Sequence, residues 1–196
     1  TQVSANVPRF EDGKFGKAVM VEEGTRNEYS ANFSQGLAPL NFNGSVVNVT
    51  SGQLDPFGGT NAVRIQASGG TSTLKAVYSA YTPASGVACS GQIWVRNKSI
   101  TPLIVHSAQG GRQETVLQSD GWKKIIWENI IGNGNGVVQH QLRVPSVDDE
   151  IDCDVAFLQY EEKPYCTSWQ IGGTARTAET LTIPTDGVLN PAEGTV

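Results

Sequence analysis

Two histidines, three cysteines and four carboxylate doublets carry most of the reactive chemistry in this 196-residue chain. Nucleophilic catalysis needs a serine or cysteine with a base beside it. His106 and His140 each fall in strand-like alternation with no nucleophile signature nearby, so they read as packed or surface rings. Phosphate-loop and HExxH patterns are absent. The doublets are Glu11-Asp12, Glu22-Glu23, Asp148-Asp149 and Glu161-Glu162. Glycoside hydrolysis needs two carboxylates facing each other across a cleft. Neighbours in a strand point to opposite faces, so no doublet makes such a pair by itself. The expectation is therefore a protein that is not an enzyme. Cys89, Cys153 and Cys166 form no CxxC and no His/Cys cluster, which argues against structural zinc. An odd count leaves at least one free thiol; Cys153 and Cys166 paired, or all three free, are both open.

Calcium is the metal the residues best suit. It takes oxygen ligands from carboxylates and carbonyls. Glu22, Glu23, Asp152 and Asp154 sit near the ends of an early and a late strand. If those strands are neighbours, a structural Ca2+ is the cofactor they imply.

The arrangement of aromatic and polar residues points to a ligand surface. A sugar offers an apolar C–H face and a rim of hydroxyls, so its binder wants a flat ring plus donors and acceptors. With Ile93 and Val95 facing the core, Trp94 faces outward together with Gln92 and Arg96. By the same alternation Gln139, Gln141 and Arg143 oppose Val138, Leu142 and Val144, and Arg64 lies between Val63 and Ile65. One continuous polar and aromatic face built from these seven residues is the expected binding site. A register shifted by one residue would instead seal Trp94 in the core; both registers are open. Trp127 alternates with Ile125 as core, and Trp122 packs at a strand start.

Many short strands must position these residues. Val46–Thr50, Ala62–Gln66, Ser72–Tyr81, Val87–Asn97, Leu103–Ala108, Glu114–Gln118, Trp122–Glu128, Val138–Val144 and Ile151–Tyr160 read as strands. Turns at Asp55-Pro56-Phe57-Gly58-Gly59, Gly69-Gly70, Ser119-Asp120-Gly121 and Gly132–Gly136 punctuate them. Hydrophobic residues make up 38% and charged residues 17%, with 22 glycines, which suits strands and tight turns rather than disorder. The net charge of −5 and the absence of a Lys/Arg stripe argue against a nucleic-acid partner. No apolar run approaches the roughly 20 residues of a membrane helix. The chain opens on Thr1 rather than Met, as a processed chain or a piece of a longer one would. Beyond Trp169 it becomes rich in Gly and Pro, with one strand-like stretch at Thr180–Ile183.

Four segments, in this order, carry a family resemblance. Phe10-Glu11-Asp12-Gly13-Lys14-Phe15-Gly16-Lys17-Ala18-Val19 runs into Val21-Glu22-Glu23-Gly24-Thr25-Arg26-Asn27. Asp120-Gly121-Trp122-Lys123 follows as a D-G-W-x strand entry. Leu158 to Trp169 contains Q-x-E-x-x-x-Y-x-T-S. Arg176-Thr177-Ala178-Glu179-Thr180-Leu181-Thr182-Ile183-Pro184 comes last. Together they resemble the carbohydrate-binding-module-like jelly-roll domains of bacteriophage tail and minor structural proteins, over nearly the whole chain. Cys166 stands where that family has Ala.

The resemblance implies an all-β, two-sheet antiparallel β-sandwich (jelly roll), concanavalin-like or galactose-binding-like, over 1–171, with an extended C-terminal strap over 172–196. It implies a non-catalytic carbohydrate-binding module on a phage tail or virion appendage, or an extracellular one, recognising a host-surface glycan. It also implies a metal role for Asp154. The alternative is a structural virion decoration or spacer that contacts other virion subunits and takes no glycan. A glycan-degrading enzyme is the third reading, requiring two carboxylates brought together from different strands.

Overall fold

The computed structural model describes residues 9–13, 16–20, 24–29, 41–42, 46–79, 81–107, 109 and 111–178. They fall into two compact units, Thr1–Gly24 with Thr177–Val196, and Thr25–Arg176. In the first unit β1 (Arg9–Gly13) and β2 (Gly16–Met20) form an antiparallel hairpin. Thr180–Ile183 lies outside the described residues.

The second unit is a two-sheet antiparallel β-sandwich, as the sequence predicts. Its strands are β3 (Thr25–Arg26), β4 (Asn41–Phe42), β5 (Val46–Gln53), β6 (Ala62–Ser68), β7 (Leu74–Ser79), β8 (Ala88–Asn97), β9 (Leu103–Ser107), β10 (Gln113–Val116), β11 (Trp122–Ile131), β12 (Gln139–Arg143), β13 (Ile151–Glu161) and β14 (Ala175–Arg176). One five-stranded sheet runs β10-β9-β12-β7-β4 and the other β11-β8-β13-β6-β5, while β14 pairs with β3. From β6 onward the chain crosses repeatedly between the two sheets, in jelly-roll fashion.

Alternation explains the core. Val63, Ile65, Ile93, Val95, Ile125, Trp127, Cys153 and Val155 face inward from one sheet, and Ala76, Tyr78, Leu103, Val105 and Leu142 meet them from the other. Trp127 is core, as expected. All three cysteines are free thiols. Gly91 is required by a close approach: a Cβ there would come within 2.5 Å of the Tyr160 ring.

His140 lies in this core among aromatic rings, 4.6 Å from Tyr160 and 5.0 Å from Trp127 by ring centroids. Tyr29 Oη donates to the Tyr78 carbonyl at 3.1 Å and lies 2.6 Å from His140 Nδ1. The same hydroxyl accepts from the His140 backbone N–H at 3.3 Å, and the imidazole tautomer decides which side chain donates in the 2.6 Å contact. Nε2 is buried in the core with no hydrogen-bond partner among the described residues. Burial pushes the His140 pKa down to about 3. Between the ordinary histidine value and that one, the unfolded chain binds a proton that the folded chain refuses. Stability therefore rises with pH across this window and is lost as pH falls through it. From about pH 7 to about pH 4.5 this ring alone removes roughly 2.5 kcal/mol. Urea unfolding at the two pH values should show that loss, and His140→Gln should remove most of it. His106, pushed down by partial burial and by Arg143, acts in the same direction, so the slope difference between variant and parent isolates His140.

Candidate functional site

The outer face of the β11-β8-β13-β6-β5 sheet takes its shape from extra residues. Between the pairs Ala156–Trp94 and Gln159–Gln92, β13 sets two residues, Phe157 and Leu158, against one of β8, Ile93. β11 and β5 do the same between Trp127 and Ile130 and between Thr50 and Gln53. Such bulges re-aim side chains and increase local twist. In β13 the bulge puts Phe157 at φ 53, a conformation that costs a bulky residue strain. Its ring leaves the core parity and packs on the outer side with Ala62 and Ala156.

Three partly buried tryptophans, Trp94, Trp122 and Trp169, pack onto that cluster. Trp94 therefore faces outward between Ile93 and Val95, and the register that seals it in the core is not the one adopted. Phe57 stands edge-on to Trp94 at 5.3 Å and lies 5.5 Å from Phe157. Phe157 in turn meets Trp169 edge-on at 5.0 Å. These rings form one aromatic strip, with Phe57 the most open at 67% exposure.

Two loops build the ends of the strip. The β5–β6 turn is organised by Asp55, whose Oδ1 accepts from the N–H groups of Phe57 (2.8 Å) and Gly59 (3.0 Å). Its Oδ2 accepts from the Asn61 side chain (2.8 Å) and backbone (3.4 Å). Burial pushes this carboxyl up, but those hydrogen bonds outweigh it and hold it below the ordinary Asp value. The segment after β13 hooks back over the sheet. Thr167 donates to Glu161 through its N–H (2.8 Å) and its hydroxyl (2.5 Å), and Trp169 Nε1 donates to the Leu158 carbonyl at 3.3 Å.

Beside the aromatic strip runs a charged row. Register places Trp122, Arg96, Asp154, Arg64 and Thr50 side by side on neighbouring strands. Arg96 donates to Asp154 Oδ2 through Nε (2.9 Å) and Nη2 (2.5 Å), and its guanidinium lies 5.0 Å over the Trp122 ring. Lys98 Nζ is 3.4 Å from the same oxygen. Arg64 is bidentate on Asp152, at 2.8 and 2.6 Å. Those bonds hold Asp152 below the ordinary Asp range, against partial burial that pushes it up. The Asp154 side chain is fully buried, and its Oδ1 has no hydrogen-bond partner among the described residues.

The structure thus brings Trp94, Arg64 and Arg96 together and separates the remaining expected ligand residues from them. Gln92 shares their parity but is 1% exposed, covered by the hook, with its amide donating to the Thr167 carbonyl at 3.4 Å. Gln139, Gln141 and Arg143 face outward from the other sheet, so the single continuous face expected from alternation is two faces. There Gln141 donates to Gln139 at 2.8 Å and accepts from Arg143 at 2.6 and 3.0 Å.

The described members of the expected calcium set do not fit a divalent cation. Asp152 and Asp154 are engaged by Arg64, Arg96 and Lys98, and no group of three or more His, Cys, Asp or Glu converges among the described residues. Glu22 and Glu23 lie outside the described residues. Sequence reasoning missed Phe57, Phe157 and Trp169 as members of the face. The unbroken apolar run Val155-Ala156-Phe157-Leu158, where alternation fails, was the available signal for the bulge.

No protein-family model matches the chain, and no curated protein matches it. Among solved structures it is similar to the enzymatically active domain of tailspike protein 4 of bacteriophage CBA120, at 13% identity and TM-score 0.44, over 68% of this chain and 21% of that one. TmCBM61 in complex with β-1,4-galactotriose matches at 13% identity and TM-score 0.45, over 69% of this chain and 97% of that one. The CBM22-1 xylan-binding domain of Paenibacillus barcinonensis Xyn10C matches at 14% and 0.41, over 74% and 96%. This chain spans only 21% of the tailspike domain's length.

Asp55→Ala should strip four hydrogen bonds from the turn that carries Phe57. The expected cost is about 1–3 kcal/mol in a thermal or urea melt. A change in tryptophan fluorescence should accompany it as Phe57 leaves Trp94, and Asp55→Asn should retain part of both.

Proposed function

We propose that this chain is a non-catalytic glycan-binding module whose ligand lies along the outer face of the β11-β8-β13-β6-β5 sheet. The observation that carries the reading is the strip of partly exposed rings, Phe57, Trp94 and Trp169, beside the Arg64–Asp152 and Arg96–Asp154 pairs. Rings stack on the apolar face of a pyranose, and guanidinium and carboxylate groups bond its hydroxyls. The described residues offer no activated nucleophile: Cys153 is buried and its thiol pushed up in pKa, chiefly by desolvation, and His140 is sealed in the core. The resemblance of the opening and closing segments to phage tail modules supports a place on a virion appendage or another extracellular assembly. A host-surface polysaccharide is the ligand that place implies.

Isothermal titration against a panel of bacterial and plant cell-wall polysaccharides tests this. A saturable heat with at least one of them is expected. Trp94→Ala should weaken it by roughly tenfold or more, the loss of one stacked ring. Gln139→Ala, on the opposite sheet, should leave it unchanged. No binding across the panel would favour a purely architectural module.

A further inference from the structure

Arg64 is held by both oxygens of Asp152 and Arg96 by one oxygen of Asp154. Each uses its Nε and one Nη2 proton on an aspartate, two of the five N–H groups a guanidinium carries. The Nη1 group of each donates to nothing among the described residues, and 34% and 32% of the two side chains is open to solvent. Both residues are register partners of Asp154, one on each side, so their backbones stand about 10 Å apart, two strand spacings. Lys98 adds an ammonium beside Asp154, and Lys124 lies outward on β11, opposite Trp94.

Three cations, Arg64, Arg96 and Lys98, therefore share the charged row with two anions, Asp152 and Asp154. Glu161 and Glu128 accept from Thr167 and Cys166 at the hook end, where Lys124 is the cation that offsets them near Cys166. The local sign is the reverse of the chain's net charge of −5. Planar guanidinium ends with unspent donors are matched by a planar or tetrahedral oxyanion, which accepts two parallel N–H bonds.

We infer that the glycan is acidic, carrying a carboxylate or sulfate that docks on the open ends of Arg64 and Arg96 while a neighbouring ring stacks on Trp94. This rests on the glycan-binding reading and adds the class of sugar to it.

The test is titration with three oligosaccharide sets of equal length: oligogalacturonides, sulfated galacto-oligosaccharides and neutral β-1,4-galacto-oligosaccharides. One acidic set should bind at least about tenfold tighter than the neutral set, and the gap should shrink as salt rises from about 0.05 M to about 0.5 M. Whichever acidic set binds names the anion. Arg64→Gln should erase most of the preference, and Arg64→Lys, which keeps charge but not the fork, should restore only part. Arg64→Gln is the first variant because partly exposed Asp152 keeps a bond from Gln66 at 3.3 Å, whereas Arg96→Gln strips buried Asp154 of its guanidinium. A folded Arg64→Gln protein, checked by its melt, with undiminished preference overturns the inference. Neutral sugars bound as tightly as acidic ones also overturn it, leaving the glycan-binding reading intact. Binding of none of the three sets, nor of any panel polysaccharide, overturns both.

Discussion

The face depends on one side chain holding a misfit in a strand. Where β13 takes its extra residue, the backbone of Leu158 and Tyr160 is served by Asn27. Asn27 donates to the Leu158 carbonyl at 3.0 Å and accepts from the Tyr160 N–H at 3.2 Å. The same amide donates to Gln170 at 2.8 Å and accepts from Tyr29 N–H at 3.2 Å. All four hydrogen-bonding positions of a buried amide are thereby filled, which a buried polar group requires. It ties the start of the sandwich, the bulge and the hook to one point. With the bulge held open, Phe157 is free to turn outward and Trp169 has a ring to pack against.

The charged row obeys a different constraint. Burying a carboxylate is expensive unless it is paired. Asp154 is buried in mid-sheet, and Arg96 with Lys98 answers it from β8 and the turn beyond. Removing one partner would leave a charge stranded, so these groups constrain each other's identity more than any surface pair does. The opposite sheet shows the contrast. Gln139, Gln141 and Arg143 direct hydrogen bonds at one another along β12.

Much of the architecture was legible because alternation and turn residues are local. Every strand from Val46 to Tyr160 stands near its predicted place, whereas the parity of Trp94, open in the sequence, is fixed by the fold. What alternation cannot say is which sheet a strand joins, and that is why β12 was placed with β8. Nor does it survive an inserted residue: Phe157 shares the parity of Val155 in sequence and loses it in the fold. Gln92 had the right face and the wrong exposure, because the hook that covers it arrives from residues 75 positions later. The Arg–Asp pairs needed strand register, which no local pattern carries.

One consequence concerns the guanidinium groups. Their forks are clamped edge-on by Asp152 and Asp154 in the folded chain. Long, freely rotating side chains lose motional freedom when a ligand first orders them, and a small hydrophilic guest buries too little surface to offset that loss comfortably. Here the ordering is complete once the chain has folded. A weakly hydrophobic guest would meet donors already aimed, and association would proceed with little rearrangement of the sheet.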